Sequence, residues 1–243
     1  MALTFQPFGF SLYEFLGGKP NYSLINIPIS LQPNTTPTSE IGINGSYGQG
    51  DLMSLESDSG EVYSGLIAYP FNPQTNGANT QVAGYSVQGV VDGFEYTATN
   101  GTTVLSNYWA AGTATFQNKA PFVKINPLAD CVFMAQCNAP LPANGAYGRN
   151  CYVSGNGVAA SVGSGTTANI TPANPQTGQS TQFVDVTHYA GVNNLNGTIK
   201  IIGLAPPNAA SPLLATNNWN DPYPVILCRI NQHFFSAPTP SVV

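Results

Sequence analysis

From about residue 41 onward, apolar and polar residues alternate in short runs separated by glycine, proline and asparagine. A period of two puts every second side chain on one face of an extended chain, so this pattern predicts strands. The clearest hairpin signal is Asn100-Gly101, set between Phe94-Glu95-Tyr96-Thr97-Ala98-Thr99 and Thr102-Thr103-Val104-Leu105-Ser106. Asn-Gly suits the two positive φ angles of a two-residue type I′ turn. Further strands are expected over 82–91, 131–137, 198–204 and 225–230. In the last of these, Ile226, Cys228 and Ile230 share one face, and Val225, Leu227 and Arg229 the other. In 131–137 the two cysteines, Phe133 and Ala135 line one face. No 3.6-residue period is sustained over a full window. The chain reads as all-β, with a β-barrel or β-sandwich body over 41–243.

Residues 1–40 read differently. Phe5, Phe8, Phe10, Leu12, Tyr13, Phe15 and Leu16 crowd its first half, and Gly17-Gly18, Pro28, Pro33 and Pro37 interrupt the rest. Prolines at this spacing break helices and leave little strand continuity. An extended N-terminal arm is expected here, with Phe5, Phe8, Phe10, Tyr13 and Phe15 as its anchors on another surface. The same pattern equally fits a first strand with a loose terminus. On the arm reading, deleting residues 1–20 leaves the body folded. Residues 152–181 are rich in Gly, Ser, Thr and Asn and fit either a long surface loop or short strands with polar outer faces.

Composition sharpens this picture. Hydrophobic residues make up 42% of the chain, ample for a core, but only 7% are charged, against roughly 25% in average soluble proteins. Asn, Thr, Ser, Gln and Gly therefore cover the surface. Neutral polar groups cost less to desolvate than charges, so such a surface suits burial against neighbours. Gly and Pro account for 45 of the 243 residues, the punctuation expected between many short strands. The net charge of −5, with six scattered Lys and Arg residues, argues against nucleic acid as a direct partner. No apolar run approaches the roughly 18 residues of a membrane span, and no basic segment followed by an apolar stretch opens the sequence. Synthesis in a reducing cytosol is expected, with Cys131, Cys137, Cys151 and Cys228 as free, buried hydrophobes and disulfide pairing as the second reading.

Little in the sequence points to catalysis. His188 and His233 lie outside any metal-ligand spacing, and the separation of Cys131 from Cys137 does not suit a zinc knuckle. Gly84-Tyr85-Ser86-Val87-Gln88 misses the G-x-S-x-G elbow at its last residue. Gly163-Ser164-Gly165-Thr166-Thr167-Ala168 fits G-x-G-x-x-A within a low-complexity stretch that no helix follows. Glu56, Asp58 and Glu61 form the only dense acidic cluster and read as a charged hairpin, with calcium binding as a second reading. Six N-x-[ST] triplets are what an Asn- and Thr-rich chain produces by chance. No catalytic residue, cofactor or metal site is expected, and the chain is expected not to be an enzyme.

Several segments together resemble a widespread class of tailed-bacteriophage virion structural proteins, common in marine phages. Gly48-Gln49-Gly50-Asp51-Leu52 looks like that family's early Gly-Asp turn, and Gly89-Val90-Val91-Asp92-Gly93-Phe94-Glu95-Tyr96 through Ser106-Asn107-Tyr108-Trp109 is similar to its hairpin ending in Tyr-Trp. Phe133-Met134-Ala135-Gln136 resembles a strand that usually reads like F-E-I-Q, with Met134 in place of the acidic residue. Ile199-Lys200-Ile201-Ile202-Gly203-Leu204 and the stretch from Asn220 to His233 look like its closing strand pair.

The resemblance spans roughly residues 45–235 and leaves out the arm. It implies a virion component on the capsid exterior, made in the host cytoplasm, that decorates and cements the head. The implied partners are the major capsid protein and further copies of the chain, with a homotrimer at three-fold positions as one arrangement. Nucleic acid and membrane are not among the expected partners. The alternative is a receptor- or glycan-binding head-fibre or tail component, with Tyr108, Trp109 and Trp219 as aromatics to stack on sugars.

Overall fold

A computed structural model of the chain describes residues 6–15, 24–28, 46–54, 56–58, 61–63, 87–110, 112–127, 129–142, 146–154, 174–189, 197–206, 216–231 and 233. Apart from one three-residue 3-10 turn, Phe116–Asn118, the regular elements among them are strands. The protein is all-β.

Two main sheets carry the fold. The larger has six strands, built from β1 (Ser11–Phe15), β11 (Cys131–Gln136), β12 (Asn150–Ser154), β13 (Phe183–Tyr189), β14 (Ile199–Leu204) and β15 (Val225–Ile230) in the order β1-β11-β15-β14-β12-β13. It curls until its far edge returns to β11. Cys137, just past β11, forms a parallel bridge to Val184 of β13. Asn138 completes the seam by donating its backbone N–H to the Val184 carbonyl and accepting from Val186 N–H on its side-chain oxygen. β1 lies outside this closed part, paired to the first half of β11.

The second sheet runs β2 (Ile25–Pro28), β10 (Phe122–Asn126), β7 (Val87–Thr97) and β4 (Leu52–Ser54), with β8 (Thr103–Ser106) pairing the far half of β7. Two small ladders complete the set. β3 (Tyr47–Gly48) pairs β9 (Tyr108–Trp109), and β5 (Glu56–Asp58) pairs β6 (Glu61–Tyr63) as the hairpin expected of the acidic cluster.

The alternation read from the sequence fixes which side faces the core. Ile226, Cys228 and Ile230 of β15 join Cys131, Phe133, Ala135 and Cys137 in the largest apolar cluster, while Val225 and Leu227 face a smaller cluster on the other side. A third cluster gathers Met53, Phe94, Trp109, Val123 and Ile125 on the second sheet. β7 serves two of these cores, giving Val87 and Val90 to the first and Val91 and Phe94 to the third. Its register against β10 shifts between Lys124 and Ile125, and this bulge re-aims the strand.

The β7–β8 turn differs from the expected type I′ form. Thr97 pairs Thr103, and Ala98 and Thr102 are joined by a backbone hydrogen bond, leaving the three residues Thr99, Asn100 and Gly101 in the loop. Only Gly101 has a positive φ, 86°, and its N–H bonds back to the Ala98 carbonyl. That is the three-residue loop with glycine at the left-handed position. Asn100 contributes through its side chain instead, accepting from Thr102 N–H at 3.0 Å.

Candidate interaction site

Three segments distant in sequence meet beside the second sheet: 6–10, 48–52 and 178–182. Gly48-Gln49-Gly50-Asp51 folds back on itself, with the Asp51 N–H donating to the Gly48 carbonyl and the Gly48 N–H donating to Asp51 Oδ2 at 2.9 Å. The other carboxylate oxygen, Oδ1, accepts from the Ser180 hydroxyl. Ser180 Oγ accepts in turn from Gln182 N–H at 2.9 Å, and Gln182 Oε1 accepts from Leu52 N–H at 2.8 Å. Asp51, Ser180 and Gln182 are all buried. A buried carboxylate survives only with such partners, because desolvating it unpaired is costly.

The N-terminal segment threads through this polar junction. Gly9 N–H donates to the Gln182 carbonyl at 3.2 Å, and Phe10 N–H to the Gly50 carbonyl at 2.9 Å. Further back, Gln6 N–H donates to Gln136 Oε1 at 2.8 Å. Gly9 has φ +72°, and a Cβ there would lie 2.4 Å from Ser180 Cβ and 2.6 Å from the Gly50 carbonyl oxygen. Glycine is required both by the backbone angle and by the crossing.

Beside the junction opens a groove of about 990 Å³. It is lined by the N-terminal segment from Gln6 to Leu12, by residues of 174–181, by Gln49 and Gly50, and by Val90, Val91 and Asp92 of β7. Among the described residues, Asp92 is its only charged lining residue.

The expected arm anchors are placed as follows. Phe10 is buried in the largest apolar cluster, at 2% exposure, and Phe8 packs half-buried against Ala205 and Val225. Tyr13, on β1, is 40% exposed. Phe15 ends β1, and Phe5 lies outside the described residues. Phe10 thus serves the chain's own core, and β1 is a strand of its sheet. Deleting residues 1–20 is therefore expected to strip a strand and a core aromatic, contrary to the expectation of an undisturbed body.

Of the aromatics proposed to stack on sugars, Trp109 is fully buried and meets Tyr96 edge-on at 5.3 Å, so it packs the core. Tyr108 is half-buried. Trp219 is also half-buried and lies edge-on to the exposed Tyr147, with ring centroids 5.1 Å apart.

All four cysteines are free and buried. Burial raises every one of these thiols. Cys151 is pushed up to about 12, and Cys137 and Cys228 stand well above the ordinary range, with Cys151 nearby adding to both. Such thiols are protonated at neutral pH and inert as nucleophiles. His233 is buried, and burial lowers its pKa while the Asp130 carboxylate offsets part of that. No group of three or more His, Cys, Asp or Glu side chains arranged to hold a metal occurs among the described residues. Among them, no helix is long and apolar enough to cross a membrane. The Gly163–Ala168 motif and Gly84-Tyr85-Ser86 lie outside the described residues.

Sequence reasoning singled out Gly48–Leu52 and the Tyr-Trp pair, and the structure joins them, since Tyr47 and Gly48 pair Trp109 and Tyr108. It missed Ser180 and Gln182, which sit at the edge of a Ser/Thr/Gln-rich stretch where no single polar residue stands out. Comparison of the chain with protein-family models, curated proteins and solved structures gives no match.

Proposed function

We propose that this chain is a structural, non-enzymatic protein of a tailed-phage virion. Within that class we propose a capsid decoration protein, which binds the lattice of the major capsid protein and cements the head, working as a homo-oligomer. The observation that carries the reading is the pairing of a charge-poor chain, 7% Asp, Glu, Lys and Arg, with an all-β body. Its outermost β1 strand displays Ser11, Tyr13 and Glu14. Neutral polar surface is cheap to bury against neighbours, and an edge strand offers main-chain groups for added pairing. The segment resemblance to phage virion proteins points the same way.

On this reading Tyr13 is the anchor available to a partner, and Leu105, at 68% exposure on β8, is a second apolar contact. Many weak contacts repeated over a lattice hold a shell through avidity. The test is heat challenge of heads assembled without the protein. Adding it back should raise the temperature at which the heads release DNA, and Tyr13→Asp should weaken that protection. Unchanged release temperatures would refute the cementing role. Adhesion of the isolated protein to host cells, without any effect on heads, would favour a receptor-binding component.

A further inference from the structure

The groove between the N-terminal segment and 174–181 has the size of a small-molecule site, at the upper end of the range of about 300–1,000 Å³. Its chemistry is selective. Gln6, Gln49 and Gln179 stand exposed around it, and their side-chain amides make no hydrogen bond to the described residues. Each amide offers both a donor and an acceptor. Half-buried Phe8 and Met134 add apolar lining.

Ligand classes can be sorted against this lining. Among the described residues of the wall an anion finds no Lys, Arg or His, and it meets the carboxylate of Asp92. A hard cation needs several oxygen ligands of which a lone carboxylate is too few. A purely apolar ligand would leave three amides desolvated and unpaired, at a cost. A neutral molecule dense in hydroxyls fits, because every hydroxyl both donates and accepts, and the C–H faces of a sugar ring match the apolar floor. We propose that this groove binds a neutral oligosaccharide.

The walls are preorganised for it. The Asp51–Ser180 contact and the crossing at Gly9 fix both sides of the groove before any ligand arrives, which limits the ordering cost of binding. Tyr13 and Leu105, the two contacts assigned to head binding, do not line this groove, and the site goes beyond the decoration reading.

The test is calorimetric titration of the full chain with maltohexaose, cellohexaose and chitohexaose, with an oligogalacturonate as the anionic comparison. Saturable binding of at least one neutral sugar is expected. The double variant Gln49→Ala, Gln179→Ala should weaken it about tenfold, the scale of one or two neutral hydrogen bonds, while leaving thermal unfolding unchanged. Leu105→Ala should bind as the parent does. Absence of binding to all three neutral sugars overturns the proposal. So does equal binding by the double variant, or preference for the anionic oligomer. Head binding by the double variant should be intact, so failure here and failure of the decoration reading are separable.

Discussion

Ser180 donates its hydroxyl to the Asp51 carboxylate across 129 positions of sequence, inside the protein. Together with the Leu52 N–H bond to Gln182 Oε1 and the backbone bonds of Gln49 to Gly178 and Ser180, that contact fastens the turn leading into β4 to the turn leading into β13, and the two together grip the N-terminal segment at Gly9 and Phe10. The groove owes its shape to this junction. Asp51→Ala strands the Gly48 N–H and the Ser180 hydroxyl in a buried setting and should cost about 2–3 kcal/mol. Urea unfolding measures it, and an unchanged midpoint would contradict the role given to the carboxylate.

Gly9→Ala and Gly101→Ala form a matched pair. Both glycines have positive φ, 72° and 86°, so both substitutions carry the left-handed penalty of about 1 kcal/mol. Only at Gly9 does the new methyl also meet Ser180 and the Gly50 carbonyl, whereas nothing lies within 4 Å at Gly101. The melting temperature should fall clearly further for Gly9→Ala. Equal losses would mean that the N-terminal segment does not pass through the junction.

Thiol reactivity should be switched by folding. The four cysteines are buried, and Cys151 is pushed up to about 12. A thiol-disulfide reagent at pH 8 should label none of them in the native protein within minutes and all four once the chain is unfolded. Prompt labelling of the folded protein would show that the core around Cys137, Cys151 and Cys228 is open.

Acid should weaken the fold through His233. In the unfolded chain the imidazole takes up its proton near the ordinary 6.5, and in the buried site only at lower pH. Between those values the unfolded state holds the extra proton, so stability falls as pH drops through the window below 6.5 and stops falling below the folded pKa. His233→Gln should flatten the dependence of unfolding midpoint on pH between about 7 and 5.5, relative to the parent. An identical slope in the variant would exclude this histidine as the source.

The strands of the six-stranded sheet were legible where they alternate cleanly. Expected strand 225–230 and observed Val225–Ile230 coincide, and the face given to Ile226, Cys228 and Ile230 is the core face. The Asn100-Gly101 loop was legible as a hairpin but not in its form. Asn-Gly is compatible with both a two-residue and a three-residue loop, and the Thr97–Thr103 register chooses the longer one. The first 15 residues were ambiguous for a different reason. A row of aromatics reads alike whether it lies on a neighbour or on its own chain, and only the tertiary partners of Phe10 and β1 separate the two. Ser180 and Gln182 were invisible because a hydroxyl or amide in a polar stretch signals burial only once its partner, here Asp51 or the Leu52 N–H, is known.

The central claim is tested most directly by sedimenting the purified protein with phage heads assembled without it and imaging the pellet by cryo-EM. Decoration predicts saturable binding, with density for the all-β body at regular positions on the capsid lattice. A pellet free of the protein at saturating concentration would contradict it and place the chain elsewhere than on the head.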